Sequence, residues 1–413
     1  MATTLPRRLF GAFLLAAALA LAPAVAVAAF LALALVSAWI PLLAGAALLT
    51  ALAVGSLLGR AAFTLFGVTA RRRRATALFA AGLTTSVAVL GSVTVFRPMP
   101  APDAGPVPQG VQYWRTPAGD RLAYVHQPAA GTPRPTPVIF LHGGPGTPGE
   151  GVPRAGRALA AAGFDVYAYD QTGSGRSTRL RDVRDYTVAR HVADLETVRR
   201  AIGAERVILV GQSWGASLAA QYLAAHGNRV ARAVFTSPGA LWGRTRPGSE
   251  AGDPWKRLTP AQRERREELA GEPRILAASL LLRVNPRAAH ALVGDREADH
   301  WMRETALTGK DGGSCPGAAP APAHHNPLGF YANQLTSTDF EEIPDPRSAL
   351  RTAHVPTLVL RGDCDYLAPE VAREYVTTLP DTRFVAVEGA GHAVPRDRPA
   401  RYRSLLLDFV TRG

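Results

Sequence analysis

From Leu9 to Gly59 the chain carries no charged residue, and the run is built mainly from Ala, Leu and Val. Laid out as one α-helix it would extend roughly 77 Å, at about 1.5 Å per residue. The hydrocarbon core of a bilayer is about 30 Å thick, so the run predicts two crossings and not one. Trp39-Ile40-Pro41 is the predicted break, because Pro is accepted in the first turn of a helix and Trp favours the membrane–water boundary. A third apolar stretch, Ala75 to Phe96, follows the cluster Arg71–Arg74. A cleaved signal peptide does not account for this pattern, since its apolar region spans only about 7–15 residues. We therefore expect about three transmembrane helices over residues 1–97, with a lipid bilayer as their partner.

Arginine placement predicts the orientation. Arg7, Arg8, Arg60 and Arg71–Arg74 belong on the cytoplasmic side, which sets the amino terminus inside and the third crossing outward. Arg97 argues the other way and is outnumbered. The rest of the chain is then expected outside the cytoplasm. Of the formal net charge of +13, eight units come from arginines in the first hundred residues, which hold no acid. The basicity thus reflects membrane topology, and with no nucleic-acid motif present no nucleic-acid partner is expected. Five prolines between Pro98 and Pro108 predict a stiff linker over residues 98–110.

Beyond the linker, short apolar runs alternate with helical patterns. Strands are expected at Val111–Trp114, Leu122–His126, Pro137–Leu141, Asp165–Tyr169, Val207–Val210, Ala231–Thr236, Thr357–Leu360 and Arg383–Val387. Val188, Val192, Leu195, Val198 and Ile202 recur at helical spacing. Such alternation implies an α/β architecture: a mostly parallel sheet covered by helices on both faces, with chemistry at the carboxyl ends of its strands. The rhythm stops between about Leu241 and Ala349, a charged and partly helical region rich in Pro and Gly near its end. We expect core segments at residues 111–240 and 350–413, with residues 241–349 inserted as a helical cap.

One strand runs straight into a chemical motif. In Val207-Ile-Leu-Val-Gly-Gln-Ser-Trp-Gly215, an apolar strand gives way to G-x-S-x-G and then to the small residues Ala216, Ser217, Ala219 and Ala220. A serine at such a strand-to-helix turn exposes its hydroxyl above the sheet, and the glycines permit the close approach of strand and helix. Ser213 is the candidate nucleophile. Its partners should follow in the order acid, then histidine. Leu358-Val-Leu-Arg-Gly-Asp-Cys-Asp365 offers Asp365, with Asp363 as competitor; Asp365 is favoured because its distance from Gly362 clears the strand end. His392 follows the last strand in a glycine-flanked loop. An oxyanion needs two backbone N–H donors, for which the sequence offers Trp214 and, in His142-Gly-Gly-Pro-Gly146, Gly144. His142 itself reads as structural.

His142–Gly146, Tyr169-Asp-Gln-Thr-Gly-Ser-Gly-Arg-Ser177, Val192-Ala-Asp-Leu-Glu196 and Gly211–Gly215 together resemble the signatures of the prolyl iminopeptidase branch of the α/β-hydrolases. The resemblance covers roughly residues 111–240 and 350–413. It implies an α/β-hydrolase fold, a Ser-His-Asp triad, no cofactor, and removal of amino-terminal residues from a peptide or small acyl substrate. It also implies that the Asp170–Ser177 segment braces the loop opposite the nucleophile. A serine nucleophile argues against haloalkane dehalogenases and epoxide hydrolases, which use aspartate there.

The cap departs from that family. The Trp-x-x-Trp-Glu segment whose glutamate binds the substrate's free amine is missing, and Glu267, Glu268, Glu297, Glu304, Glu341 and Glu342 are the acids that could replace it. Each also reads as a solvated helix face. Phe330-Tyr-Ala-Asn-Gln-Leu335 is a candidate pocket lining or simply packing. The two cysteines, Cys315 and Cys364, would tether the cap beside Asp365 if they pair in an exported domain. His324-His325 lacks a third ligand, so no metal site is expected. Two alternatives stay open: a carboxylesterase or lipase-like hydrolase of the same fold, and a non-catalytic membrane binding module.

Overall fold

The computed structural model describes residues 4–103, 105–244 and 254–412. Residues 245–253 of the expected cap lie outside the described residues. The chain divides into two compact units.

The first unit holds the first hundred residues. Its helices α1 (Leu5–Ala34), α2 (Ile40–Leu65) and α3 (Arg72–Val93) are each long and apolar enough to cross a membrane. The break between the first two falls at residues 35–39, with a Pro in the first turn of α2. Large apolar side chains such as Leu19, Leu49, Leu57 and Leu78 face outward, while Ala18, Ala22, Ala26 and Ala51 pack together with Leu83. This is the arrangement suited to lipid, where small residues let helix backbones approach and large ones gain nothing by hiding. The hydroxyls of Thr50, Thr64 and Thr84 return to carbonyls in the preceding turn, which satisfies them without water.

The second unit is built on one eight-stranded sheet. Its elements are β1 (Gln112–Arg115), β2 (Arg121–Gln127), β3 (Val138–Leu141), α4 (Arg154–Ala161), β4 (Val166–Tyr169), α5 (Val188–Ile202), β5 (Val207–Gln212), α6 (Trp214–His226) and β6 (Val230–Thr236). An excursion follows, made of α7 (Pro260–Ala270), α8 (Pro273–Val284), α9 (Pro286–Leu292), α10 (Asp295–Thr308), α11 (Phe330–Glu342) and α12 (Arg347–Leu350). The chain closes with β7 (Thr357–Gly362), α13 (Pro369–Thr378), β8 (Thr382–Val387), α14 (Val394–Asp397) and α15 (Pro399–Thr411). The strand order is β1-β2-β4-β3-β5-β6-β7-β8, with β2 antiparallel to both neighbours and every other pair parallel.

Successive side chains of a strand point to opposite faces, and both faces here are covered. Ile139, Leu141, Val207, Leu209, Phe235 and Val359 enter one core beneath α5, α6 and α13. Val138, Phe140, Ile208, Val210, Val234 and Leu358 enter the other, beneath α4 and α15. That is why the central strands are continuous apolar runs with no polar alternation.

The excursion corrects the expectation of a single cap at residues 241–349. Residues 270–294, which carry α8 and α9, belong to the first unit with the three apolar helices, while α10, α11 and α12 belong with the sheet. A helical pattern in a sequence shows that a helix forms but not which surface receives it.

Candidate active site

The turn after β5 is tightly determined. Ser213 sits at φ 54°, ψ −122°, a conformation rarely taken by a residue with a side chain. Its N–H donates to the Thr236 carbonyl, and its own carbonyl accepts from Ala216 and Gly239. A β-carbon on Gly211 would lie 2.3 Å from the Gly215 oxygen, and one on Gly215 would lie 2.2 Å from the Leu141 oxygen. Neither position admits a side chain. The strained turn therefore follows from backbone packing, and it lifts the Ser213 hydroxyl to the carboxyl edge of the sheet.

Asp365 and His392 come together at that edge. Asp365 follows β7, is 6% exposed, and its Oδ1 stands 2.9 Å from His392 Nδ1. The same oxygen accepts from the Leu367 N–H at 3.1 Å. Burial opposes the carboxylate's charge, but the hydrogen bond and charge of His392 and the Leu367 N–H outweigh it. The pKa falls below its ordinary 3.8. Asp363 instead is exposed and is held by the Gly389 N–H, away from the histidine. His392 is fixed from several sides: its N–H donates to the Gly313 carbonyl at 2.7 Å, and Tyr366 packs on the ring with centroids 4.5 Å apart. Gln212, immediately before Ser213, reaches the His392 carbonyl at 3.4 Å. Because Nδ1 faces the carboxylate, Nε2 is the ring nitrogen left to exchange a proton with a substrate-side group.

The Gly143–Gly146 loop lies against the serine. At Gly143 a β-carbon would meet that of Ser213 at 3.2 Å, so only glycine allows the loop to pass this close to the serine. Gly144 has φ 115°, and a side chain there would collide with the backbone nitrogens of Gly146 and Thr147. Trp214 opens α6, where an N–H has no partner within the helix. Trp214 thus follows Ser213 directly, and Gly144 follows the residue that packs on it.

Gln171 joins these two donor elements. Its backbone N–H donates to His142 Nε2 at 2.9 Å, its side-chain amide donates to the His142 carbonyl at 2.9 Å, and its side-chain oxygen accepts from Trp214 Nε1 at 2.9 Å. His142 donates from Nδ1 to the Gly143 carbonyl. This pattern requires a neutral imidazole, and burial supplies one by lowering the His142 pKa from 6.5 to about 4. The sequence located the bracing segment, Gln171 within it, but not the bridge this side chain makes, nor the Gly313 carbonyl. A glutamine two residues beyond the β4 carboxyl end is the available signal for the first; nothing in the pattern marks the second.

The excursion closes over the same edge. Cys315 and Cys364 form a disulfide with Cα atoms 5.2 Å apart, and Arg257 ties both strands of that junction through the Ser314 and Cys364 carbonyls. Asn333 on α11 donates to the Pro145 carbonyl, and Phe340 packs edge-on to Trp214. Phe330 and Tyr331 are buried against Trp301 and each other, so their role is packing. Of the acids considered for amine binding, Glu267, Glu268, Glu341 and Glu342 are exposed, Glu304 pairs with Arg303, and Glu297 is buried. A cavity of about 490 Å³ opens behind the donor loop, lined by His142, Glu150, Asp170, Gln212 and His325 among others, but not by Ser213. His324 pairs with Glu150, not with His325.

Residues 136–399 match the model of the α/β-hydrolase fold family, and the chain belongs to that family. It is 28% identical over 287 residues to a proline iminopeptidase of Lactobacillus delbrueckii subsp. bulgaricus, covering 66% of this chain and 89% of that one. It is also 28% identical over 333 residues to epoxide hydrolase A of Mycobacterium tuberculosis, covering 71% and 95%. Among solved structures, an esterase from Exiguobacterium antarcticum superposes with a TM-score of 0.52 at 18% identity, covering 73% of this chain and 99% of that one, a likeness of fold.

Proposed function

We propose that this α/β-hydrolase is a membrane-anchored serine aminopeptidase of the prolyl iminopeptidase type, working outside the cytoplasm. Ser213 Oγ attacks the carbonyl carbon of the substrate while His392 Nε2 takes its proton. Asp365 holds the imidazole in the required tautomer and stabilises its charged form without accepting the proton. The oxyanion that forms is received by the N–H groups of Gly144 and Trp214. His392 then protonates the departing amine, and water, deprotonated by the same imidazole, releases the acyl group from Ser213. The observation that carries this reading is the bond from His392 Nδ1 to the buried, charge-stabilised Asp365 at the edge where Ser213 is held in its strained turn.

The aminopeptidase assignment draws on the likeness to proline iminopeptidases and on the four motifs quoted above. Serine at position 213 argues against the aspartate-based chemistry of epoxide hydrolases. The membrane setting draws on three apolar helices, with Arg60 and Arg71–Arg74 gathered near one set of their ends. A disulfide also suits a domain kept in an oxidising compartment.

A second reading, a carboxylesterase with the same machinery, is favoured by one observation: four of the six cap glutamates face solvent, and the family's amine-binding segment is missing. Purified protein assayed on Pro- and Ala-arylamides, their amino-blocked forms and short-chain esters separates the two. Cleavage confined to unblocked amides supports the peptidase; cleavage of esters alone replaces it with the esterase. Activity persisting in Ser213→Ala would overturn the mechanism in both.

A further inference from the structure

We propose that the helix pair α8–α9 is a membrane-surface element, with Leu276 and Leu280 embedded at the outer hydrocarbon–headgroup boundary of the bilayer. The inference rests on the reading that α1, α2 and α3 span a membrane.

The pair is fastened to one particular end of those helices. The last carbonyls of an α-helix have no partner within it, and in or near a bilayer they need one. Asn285, between α8 and α9, donates its side-chain amide to the carbonyl of Ala34, the final residue of α1, at 2.8 Å. Arg274 on α8 is buried and donates to the Val95 carbonyl just beyond α3 at 2.8 Å, and to the Leu292 carbonyl of α9 at 2.6 Å. Because α1 and α3 run the same way through an up-down-up bundle, these are carboxyl ends on one side. The Arg60 and Arg71–Arg74 groups belong to the opposite ends, so α8–α9 sits at the extracytoplasmic one.

What α8 presents there is apolar. Its inner face buries Ile275, Ala278 and Leu281, yet Leu276 and Leu280 are 51% and 48% exposed. They lie four residues apart on one side of the helix, and exposed Arg283 continues that side one turn further on. From Pro273 to Gly294 there is no acidic residue. The neighbouring bundle end adds Leu35, Val36 and Trp39, all strongly exposed. The apolar surface of α8 is therefore continuous with the end of the apolar helices, and its charge has the sign that phospholipid headgroups attract. An amphipathic helix with leucines below and arginine above is suited to lie in the plane of such a boundary.

The test uses the full-length chain in nanodiscs of phosphatidylcholine and phosphatidylglycerol. Single cysteines replacing Leu276, Leu280, Leu57 on α2 and Glu267 on α7 carry nitroxide labels; the native cysteines are joined and do not react. Ser279→Cys, on the same exposed side, supplies a further labelled position should either leucine variant fail to fold. At 276, 279 and 280 oxygen is expected to collide with the label more often than a water-soluble nickel chelate does, as at position 57, with the ratio inverted at 267. Lipid values at 57 with water values at 276, 279 and 280 would overturn the surface assignment alone. Water values at 57 would overturn the membrane reading and this proposal with it. Spin–spin broadening at 276 and 280 would overturn it by placing a second copy of the chain on that face.

Discussion

At the carboxyl edge of the sheet, around Ser213, backbone contacts dictate residue type: Gly211, Gly215 and Gly144 occupy places where any side chain would strike main-chain atoms. In the excursion between β6 and β7, side chains on short helices do the work instead. Arg257, Asn333 and Phe340 attach it to the active edge through contacts that other residues of similar shape could make. A site built from backbone keeps its chemistry recognisable across wide divergence, whereas a cap built from side chains is free to change what it admits. The difference fits the proposed function, in which Ser213, Asp365 and His392 are retained while the cap lacks the amine-binding segment of the prolyl iminopeptidase branch.

The comparison is broken most directly at the core. Ser213→Ala is expected to lower kcat by about 10⁶-fold, and Asp365→Asn by about 10⁴-fold, with the fold retained in both. Asp363→Asn, only two residues away, should leave kcat within about twofold, because its side chain faces solvent and the Gly389 N–H. Steady-state kinetics on whichever substrate the purified protein cleaves would check all three. A large loss in Asp363→Asn with a small one in Asp365→Asn would reverse the assignment of the acid.

The next largest effect should fall on the cap. The Cys315–Cys364 bond closes a loop with a sequence separation of 49 residues. Chain entropy alone assigns such a crosslink about 4 kcal/mol, with measured values commonly about 2–5 kcal/mol. Cys315→Ser is therefore expected to lower the melting temperature and to expose the segment between α10 and α11 to protease before the sheet is cut. A melting temperature equal to that of the parent would show that Arg257, Arg396 (which donates to Ser314 Oγ at 2.6 Å) and the backbone contacts hold the cap without the crosslink.

Much of the sheet was legible in the sequence because its cause is local. Each of the eight expected strands lies within two residues of an observed one, since an apolar run bounded by turn residues has few alternatives once both faces are covered. The placement of Ser213, Asp365 and His392 beyond strand ends was legible for a related reason: each follows a strand at a turn whose glycines are visible. The partition of the excursion was not legible. Whether α8 joins the sheet or the apolar helices depends on where Asn285 and Arg274 find acceptors, and those lie 251 and 179 residues away in the chain. Nor was the Gln171 bridge, whose partners His142 and Trp214 stand 29 and 43 residues off with no periodic relation to it.

Gln171 sharpens the comparison, because at the core edge its side chain does what backbone does elsewhere. Gln171→Leu removes the amide that reaches the His142 carbonyl and the oxygen that receives Trp214 Nε1, while the backbone bond to His142 Nε2 remains. Losing an oxyanion donor outright costs about 100- to 1,000-fold in rate, so loosening two of them should cost about 10- to 100-fold in kcat with KM little changed. Gln171→Glu keeps an acceptor for Trp214 and should fall between the parent and Gln171→Leu. An unchanged kcat in Gln171→Leu would mean that the glycines alone fix both donors.

The smallest effect is expected from the dryness of the donor loop, read through His142. Its pKa is about 4 in the folded protein against 6.5 when unperturbed, so between those values the unfolded chain binds a proton that the folded chain refuses. Stability contributed by the neutral ring is complete above about pH 6.5 and is lost as pH falls toward 4, at about 1.4 kcal/mol per pH unit. The parent's own curve will not display this cleanly. Burial raises the Asp170 pKa from 3.8 to about 6, so that group takes up a proton on folding over part of the same range and pulls in the opposite direction. Comparison with His142→Gln isolates the term, because Asp170 titrates in both proteins. The stability gap between parent and variant, followed by thermal unfolding at pH 7, 6 and 5, should narrow as pH falls. A gap that stays constant would mean that water reaches His142, and that the donor loop is as open to exchange as the cap above it.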